Sequence, residues 1–414
     1  MTDTRAATGV GAGATADAPV DAIHAGAFLL SAQFPGQRHA EALERTVSAA
    51  VAAERAGLDS VWLAEHHFVP YGVCPDAATL AALLLGRTRR ITVGTAVSVL
   101  STAHPVALGE QAALLHLTSG GRFTLGVGRG GPWVDLAVFG TGVAAYETGF
   151  AERLDLLLRW LRGSRVGADG PAFAFPEVPV VPRATEPPVP ASGGPVHGGP
   201  VHSPRHRPEP HTRPAFPRQR SDSTRPPAAP GAARITPAAG GPPVVVACTS
   251  RSSLRLAAER GLPMLLGMHS GDEDKQEMVA AYRAMARAAG RTPEQIARAE
   301  RGHVAAGVAQ VADSTAEART TLLAAMPEWF RYGLGAHRTV DGRERRMRDP
   351  RDYTELLCDL HAVGTPKLCA DRMLATAERT GVRRFALLVE GSGDRAATLG
   401  NVTRLGSDVL PLLR

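Results

Sequence analysis

The sequence predicts an α/β fold, a (β/α)8 TIM barrel interrupted by a long disordered Pro-rich insert. Short, almost continuously apolar segments alternate with helical segments in both halves of the chain, which is typical of parallel strands buried on both faces. Four strand–helix pairs fill about 140 residues, a repeat length that suits half of an eightfold barrel. Polar, chemically active residues follow several of the strands. A doubly wound parallel sheet is the alternative fold.

The individual elements follow from apolar periodicity, taken in chain order. Gly57 is expected to end the first helix, and Asp76 is expected to cap the second helix after Pro75. The predicted strands are 25–30, 61–64, 91–97, 123–127, 244–247, 263–266, 303–311 and 384–389. The predicted helices are 38–55, 76–85, 105–117, 147–161, 253–260, 274–289, 314–330, 366–380 and 395–412, with an irregular segment before 366.

Composition divides the chain into four parts. Residues 1–22 are small and polar, have no apolar core of a secretory signal, and are predicted to be disordered. Residues 183–240 hold 14 of the 32 prolines and few aliphatic clusters, so we predict a disordered insert. The barrel is therefore expected in two parts, 23–182 and 241–414. The four histidines of the insert have irregular spacing, which favours a solvated linker over a metal site.

Charge and cysteine usage exclude several classes of function. The insert has eight Arg, no Lys and three acids, a net of +5, and the whole chain is +6. The rest is nearly neutral, so charge gives no support for nucleic-acid binding by the folded part. The sequence has no run of about 18 apolar residues, the length that a membrane-spanning helix requires. The four cysteines lie far apart without CxxC spacing, which predicts reduced thiols in a cytoplasmic protein and neither a disulfide framework nor a zinc site.

Glu65-His66-His67 is the first group of residues that could carry chemistry. It directly follows the apolar segment 61–64, and the loops at strand ends form the active face of parallel barrels. Imidazole is the side chain whose proton is most easily moved near neutral pH, which suggests acid–base work. The alternative is that two surface histidines lie beside a solvated carboxylate. These residues alone favour neither interpretation, because a motif needs its structural context.

Two further loops could hold a phosphate group. The glycine-rich loop 126–131 follows the fourth strand and offers the guanidinium of Arg129, although it is a poor dinucleotide fingerprint. The loop 249–253 follows the fifth strand and combines hydroxyls with Arg251 at a helix start, where ordinary N-capping is the alternative. Both loops should lie on the same face of a barrel. The loop 391–394 competes but carries an acid and no Arg.

These motifs together resemble the bacterial luciferase-like flavin-dependent monooxygenase family, close to the luciferase α-type subunit. The similarity covers about 25–182 and 242–414. The matching segments are 59–68, 85–88, 93–96, 102–105, 119–123, 129–130, 138–140, 261–264, 363–366 and 409–411.

The resemblance implies an enzyme that uses reduced FMN and O₂ to oxygenate a small organic substrate through a flavin 4a-hydroperoxide. The substrate is expected to be a specialised metabolite. His66 resembles the catalytic imidazole, with Glu65 and His67 beside it. A separate flavin reductase is the expected partner, and a homodimer is the expected assembly. The resemblance implies no binding of nucleic acid, membrane or metal. Proton control and exclusion of water are what such a reaction requires.

The resemblance also implies the cofactor contacts. Arg129 matches the main phosphate ligand, Ser250 and Ser253 match hydroxyl contacts, and Arg251 is a plausible addition. The Ala96–Val97 bond matches a non-prolyl cis peptide against which the isoalloxazine packs.

Some positions depart from the family's pattern. Gly128 stands where the luciferase α subunit has a reactive cysteine, Thr249 replaces an acid, and 335–351 looks shorter than the mobile lid. The insert at 183–240 has no counterpart, and light emission from an aldehyde is not implied.

Three other functions stay open from the sequence. A deazaflavin-dependent hydride-transfer oxidoreductase on the same barrel would bind a deazaflavin coenzyme instead of FMN. A non-catalytic subunit of a heterodimeric enzyme would support a partner, although retention of His66 and Arg129 argues against it. A binding module would use the basic insert as an interaction tail, and would lose function on deletion of 183–240 while still binding flavin.

Overall fold

The computed structural model describes residues 22–188, 240–343 and 347–414. The predicted disordered segments 1–22 and 183–240 lie outside these residues, except for their ends next to the barrel. The strands are β1 (His24–Leu29), β2 (Ser60–Leu63), β3 (Thr92–Thr95), β4 (Ser98–Val99), β5 (Phe123–Gly128), β6 (Arg165–Asp169), β7 (Ala174–Pro179), β8 (Val244–Cys248), β9 (Met264–Leu266), β10 (Val304–Val311), β11 (Ala362–Gly364) and β12 (Arg384–Leu388).

Eight of these strands, all parallel, close into a barrel. The order around the barrel is β1, β2, β3, β5, β8, β9, β10 and β12, and β12 pairs with β1. The predicted (β/α)8 TIM barrel is therefore confirmed, and each of its strands was predicted from the sequence. The helices are α1 (His39–Arg55), α2 (Ala77–Arg87), α3 (Pro105–Thr118), α4 (Asp135–Val138), α5 (Gly142–Glu147), α6 (Phe150–Arg162), α7 (Arg251–Arg260), α8 (Asp272–Ala288), α9 (Pro293–Arg301), α10 (Thr315–Leu334), α11 (Pro350–Leu360), α12 (Pro366–Thr380) and α13 (Arg395–Arg404).

Alternation along the strands builds two apolar cores. Ala27 and Val61 belong to the core between the barrel and its helices, whereas Phe28 and Trp62 belong to a second core that also includes α10. Because neighbouring residues of a strand point to opposite faces, apolar residues are needed at every position. This explains why the strands lack a polar face in the sequence.

A buried ionic network fixes the carboxyl end of β1. Glu390 accepts hydrogen bonds from Leu30 N (2.8 Å), Ser31 N (3.1 Å) and Thr46 Oγ1 (2.8 Å). The Arg45 Nε lies 3.5 Å from the Glu390 carboxylate, and both side chains are almost completely buried. A buried charge pair of this kind is costly to break, because the remaining charge would have no partner. The network therefore holds the strand end that borders the mouth of the barrel.

The predicted strand 91–97 is interrupted in the structure. β3 ends at Thr95, whose Oγ1 donates to Gly126 O (2.7 Å) and accepts from Gly126 N (2.9 Å). The Ala96–Val97 peptide bond is cis, as the resemblance implied, and the chain resumes as β4 beside β5. The strand ladder is thus replaced at this point by a side-chain bridge.

Several elements were not predicted. They are the β6–β7 hairpin, β11, and the helices α4, α5, α9 and α11. α9 follows the cap residue Thr292, and α11 follows the cap residue Asp349, each with a proline at its first position. Among the described residues no helix combines the length and apolar character that a membrane crossing requires. The four cysteines are buried and form no disulfide in the structure.

Candidate active site

A cavity of about 660 Å³ opens at the carboxyl ends of the barrel strands. Five of the predicted site residues line it: Glu65, His66, His67, Ala96 and Val97. They come from the ends of β2 and β3, which are neighbours in the barrel. The structure therefore brings together the acid–base group and the segment expected to face the flavin ring.

His66 is held by its backbone and by a tight glycine contact. Its N–H donates to Cys74 O (2.9 Å), and its ring meets the edge of Tyr71 at a centroid distance of 4.9 Å. A Cβ at Gly72 would lie 2.7 Å from His66 Nδ1, so only glycine leaves room for the ring. Within the described part of the chain, this buried Nδ1 has no hydrogen-bond partner.

The surroundings of His66 keep the imidazole uncharged. Burial lowers the pKa of His66 to about 3, and the charges of His337 and His67 act in the same direction. A neutral imidazole carries one proton and offers one donor and one acceptor. His66 is therefore a hydrogen-bonding group at neutral pH, which differs from the readily protonated imidazole that its type alone suggested.

Glu65 connects three segments of the site. Its carboxylate accepts from Val99 N (2.9 Å) and from Ala77 N (3.3 Å), which link β4 and the start of α2 to the end of β2. The His67 Nε2 lies 3.6 Å from the same carboxylate, and both side chains are 10% exposed. These contacts position the loops around the cavity, in addition to any part in proton transfer.

Asp135 is a cavity residue that the sequence analysis missed. It is 6% exposed and begins the short helix α4. Burial raises the pKa of the Asp135 carboxyl, partly opposed by the hydrogen bond from Leu136 N and by the charge of His67. The His67 ring also packs edge-on against the exposed Phe139 at 4.9 Å. His67 thus interacts electrostatically with two carboxylates that line the cavity, Glu65 and Asp135.

Arg129 follows the end of β5 and lies beside the cavity. Its guanidinium stacks over the Tyr146 ring at 4.2 Å, and the adjacent Gly130 lines the cavity. Tyr146 belongs to α5, another element that was not predicted. Stacking on an aromatic face holds a guanidinium in place while leaving its N–H groups in the plane of the fork.

Ser250 caps α7 at the end of the adjacent strand β8. Its hydroxyl accepts from Ser253 N (3.3 Å) and lies 3.0 Å from the Ser253 hydroxyl, which donates to Ser250 O. The N-capping alternative is therefore realised, and Ser253 is buried. Arg251 is exposed as the first residue of α7, and Thr249 lines the cavity.

The two loops follow neighbouring strands, because β5 pairs with β8, with Val127 opposite Val246. Gly130 and Thr249 of these loops line the cavity, whereas Arg129, Ser250, Arg251 and Ser253 are not among its lining residues. A guanidinium, hydroxyls and the positive end of a ten-residue helix are a suitable set of donors for a phosphate beside the cavity. A Cβ at Gly128 would lie 2.5 Å from Val97 Cγ2. The cysteine of the luciferase α subunit could therefore not replace Gly128 without moving Val97.

The competing loop 391–394 is occupied by internal contacts. Gly393 O accepts from Gln37 Nε2 (2.7 Å) and Arg45 Nη1 (2.8 Å), and Asp394 caps α13 through Ala397 N (2.7 Å). A carbonyl and a carboxylate here would repel an anion. The loop after the last strand is thus poorly suited to a phosphate.

Sequence reasoning also missed the aromatic and histidine residues of the outer cavity. They are Tyr71, Trp133, His337 and Tyr353. Trp133 follows Gly130-Gly131-Pro132, so a bulky aromatic residue in a glycine- and proline-rich loop was an available signal. Tyr71 and His337 lie in segments without periodic patterning, and only the fold brings them to the cavity. Tyr353 lies in α11, whose helical apolar spacing was an available signal.

Comparison with known proteins agrees with the fold. The sequence profile described as luciferase-like monooxygenase matches residues 23–199 and 197–384. The alkanal monooxygenase alpha chain of the Kryptophanaron alfredi symbiont is 26% identical over 406 residues, covering 94% of this chain and 98% of that protein.

Solved structures share the fold at lower sequence identity. The monooxygenase RslO1 from Streptomyces bottropensis has a TM-score of 0.70 at 20% identity, covering 94% of this chain and 99% of that one. The oxygenating constituent of 3,6-diketocamphane monooxygenase from Pseudomonas putida, solved with FMN, has a TM-score of 0.64 at 19% identity, covering 94% and 98%. An F420-dependent secondary alcohol dehydrogenase reaches 0.59 at 16% identity, covering 95% and 99%.

The structural similarities show the fold alone, whereas the family profile spans both halves of the barrel. It covers the strand ends that carry His66, Arg129 and Ser250. The chain belongs to the luciferase-like monooxygenase family.

Proposed function

We propose that this chain is a flavin-dependent monooxygenase that uses reduced FMN and O₂ to oxygenate a small organic substrate. The observation that supports the proposal most is that His66, Ala96 and Val97 line one cavity, together with Gly130 and Thr249, the sequence neighbours of Arg129 and Ser250. Reduced FMN bound there would supply electrons for the activation of oxygen. A separate reductase would provide the reduced cofactor, and the enzyme would act as a cytoplasmic homodimer.

The phosphate group of the cofactor would bind at the edge between β5 and β8. Arg129 is preoriented by Tyr146, and Ser250 lies at the amino end of α7. Ser253 is engaged with Ser250, so its part would be to hold the cap, and Arg251 would contribute from solvent. Charge-assisted contacts of this type add about 1.5–3 kcal/mol each.

The ring of the cofactor would lie along the small residues of the cavity floor. Ala96, Val97 and Ala247 offer a surface without long side chains. His66 would then face the reacting atoms as a neutral imidazole that holds one proton. Glu65 and His67 would keep a second proton nearby, within the segment that Glu65 ties to β4.

The loops over the cavity would exclude water. Val134 N donates to Arg338 O (3.0 Å) and Val340 N donates to Pro132 O (2.8 Å), so two loops from different halves of the barrel pair across the mouth. Exclusion of water protects reactive intermediates from wasteful decay.

The test is an anaerobic titration of the chain with reduced FMN and with the reduced deazaflavin coenzyme F420, followed by mixing with O₂. We expect tighter binding of reduced FMN, and a slower return of oxidised-flavin absorbance than for free reduced FMN. In His66→Ala, binding should persist while that delay shortens.

Preference for the deazaflavin would instead favour hydride transfer. If the purified chain bound neither cofactor, a supporting subunit would be the better interpretation. Deletion of 183–240 should leave flavin binding and turnover unchanged, whereas loss of function with intact flavin binding would favour an interaction tail.

A further inference from the structure

Three aromatic side chains form a continuous wall in the outer part of the cavity. We call Tyr71, Trp133 and His337 the aromatic wall; the His337 ring lies 4.9 Å from Trp133 and 6.0 Å from Tyr71. Tyr71 also meets the edge of His66 at 4.9 Å. The wall therefore begins beside the imidazole at which the proposed chemistry takes place.

Contacts behind the wall make it rigid. Tyr71 stacks on Trp329 of α10 at 4.9 Å with an interplanar angle of 8°, and Trp329 Nε1 donates to Tyr71 O (3.2 Å). A Cβ at Gly333 would lie 2.6 Å from Tyr71 Cα, so α10 packs directly on this backbone. Trp133 pairs with Thr339 in a backbone bridge. The wall is thus formed before any ligand binds.

A cationic side chain lines the cavity beside Tyr353. Arg348 lies over the Tyr353 ring at 5.9 Å, and both residues line the cavity. The two carboxylates that line it accept backbone N–H groups, Glu65 from Val99 and Asp135 from Leu136. A polar group of the ligand would therefore meet a donor at Arg348 rather than an acceptor.

We propose that the substrate is a planar aromatic molecule with an anionic oxygen, a phenolate or an aromatic carboxylate. Its ring would pack against the aromatic wall and its oxygen would face Arg348. Rigid aromatic surfaces favour flat partners in stacked or edge-on geometry, whereas a flexible alkyl chain gains only burial and loses conformational freedom. The inference rests on the proposed function, since it leaves the floor of the cavity to the flavin.

Binding of model compounds tests the proposal without turnover. Isothermal titration of the full chain, with and without saturating FMN, would compare 2-naphthoate with 2-methylnaphthalene and decanoate. We expect 2-naphthoate to bind about ten-fold more tightly than either of the others, since one lacks the charge and the other lacks the ring. It should bind equally well when FMN is present.

Variants with matched controls assign the binding to the wall. Tyr71→Leu and Arg348→Gln should each weaken 2-naphthoate binding about five-fold or more. Tyr332→Leu on the exposed face of α10 and Arg343→Gln, which is 85% exposed, should not change it. Arg348 is exposed, so its substitution tests the proposal even if Tyr71→Leu fails to fold.

Two outcomes would overturn the proposal: decanoate binding as tightly as 2-naphthoate, or naphthoate affinity unchanged in folded Tyr71→Leu and in Arg348→Gln. Competition between 2-naphthoate and FMN would overturn it as well, because both ligands would then occupy the floor. Naphthoate binding at the wall in a chain that binds no flavin would leave this inference standing and refute the proposed function.

Discussion

Replacing Arg129 by Gln removes the guanidinium that we assign to the cofactor phosphate. Arg129 is half-buried at the end of β5 and stacked on Tyr146 at 4.2 Å, so it is oriented before a ligand binds. Glutamine keeps a polar side chain of similar reach but carries no charge. The substitution should therefore act on the phosphate of FMN and leave the ring contacts unchanged.

The expected magnitude follows from a single charge-assisted contact. Its loss costs about 1.5–3 kcal/mol, which weakens FMN binding about 10- to 150-fold. Riboflavin lacks the phosphate, so its affinity should change by less than about two-fold. Removal of the ring beneath the guanidinium in Tyr146→Leu should have a smaller effect of about 0.5–1 kcal/mol.

The assay is fluorescence titration of oxidised FMN and riboflavin against wild-type protein, Arg129→Gln and the control Arg255→Gln. Arg255 is exposed in α7, one turn beyond Arg251, so its substitution tests the effect of net charge alone. Equal loss of affinity for both ligands in Arg129→Gln would refute the reasoning, as would an equal loss of FMN affinity in the control.

Three further predictions concern positions around the site. Gly72→Ala should lower the free energy of unfolding by about 1–3 kcal/mol and impair reaction at His66, because the added Cβ would lie 2.4 Å from Leu30 O. The control Gly86→Ala adds a Cβ that meets no atom within 4 Å, so it should leave the thermal melt unchanged. Glu390→Gln should lower the free energy of unfolding in urea by about 3–5 kcal/mol, because it leaves the buried Arg45 guanidinium without its counter-charge. A loss below about 1 kcal/mol would contradict this. Burial lowers the pKa of His303 to about 3, so the folded protein keeps this residue neutral while the unfolded chain takes up a proton below about pH 6.5. The free energy of unfolding should therefore fall from about pH 6.5 toward about pH 3. His303→Gln should reduce that slope by up to about 1.4 kcal/mol per pH unit.

The barrel could be predicted from the sequence because its strands are marked at every position. Segments such as 244–247 are apolar on both faces, and the helices between them have clear caps such as Asp76. The β6–β7 hairpin lacks that pattern and was missed, and α9 and α11 were missed although Thr292 and Asp349 cap them. The β6–β7 hairpin is partly exposed, and its pairing was not marked by a regular alternation in the sequence.

The candidate site divides in the same way. His66, Arg129 and Ser250 follow strand ends, and parallel strands place their carboxyl ends together, so the joint position of these residues was predictable. Asp135 begins the short helix α4 and His337 lies in a loop, and the course of both segments depends on tertiary packing. The low pKa of His66 was also unpredictable, because it depends on burial beneath the loop that contains Gly72.

The central claim is that one cavity holds reduced FMN with its phosphate at the β5–β8 edge and its ring beside His66. The most direct measurement is a crystal structure of the full chain grown anaerobically with reduced FMN. We predict phosphate oxygens within hydrogen-bond distance of Arg129 and Ser250, and the flavin ring between Val97 and His66. A phosphate bound at the loop 391–394, or a flavin ring outside this cavity, would contradict the account.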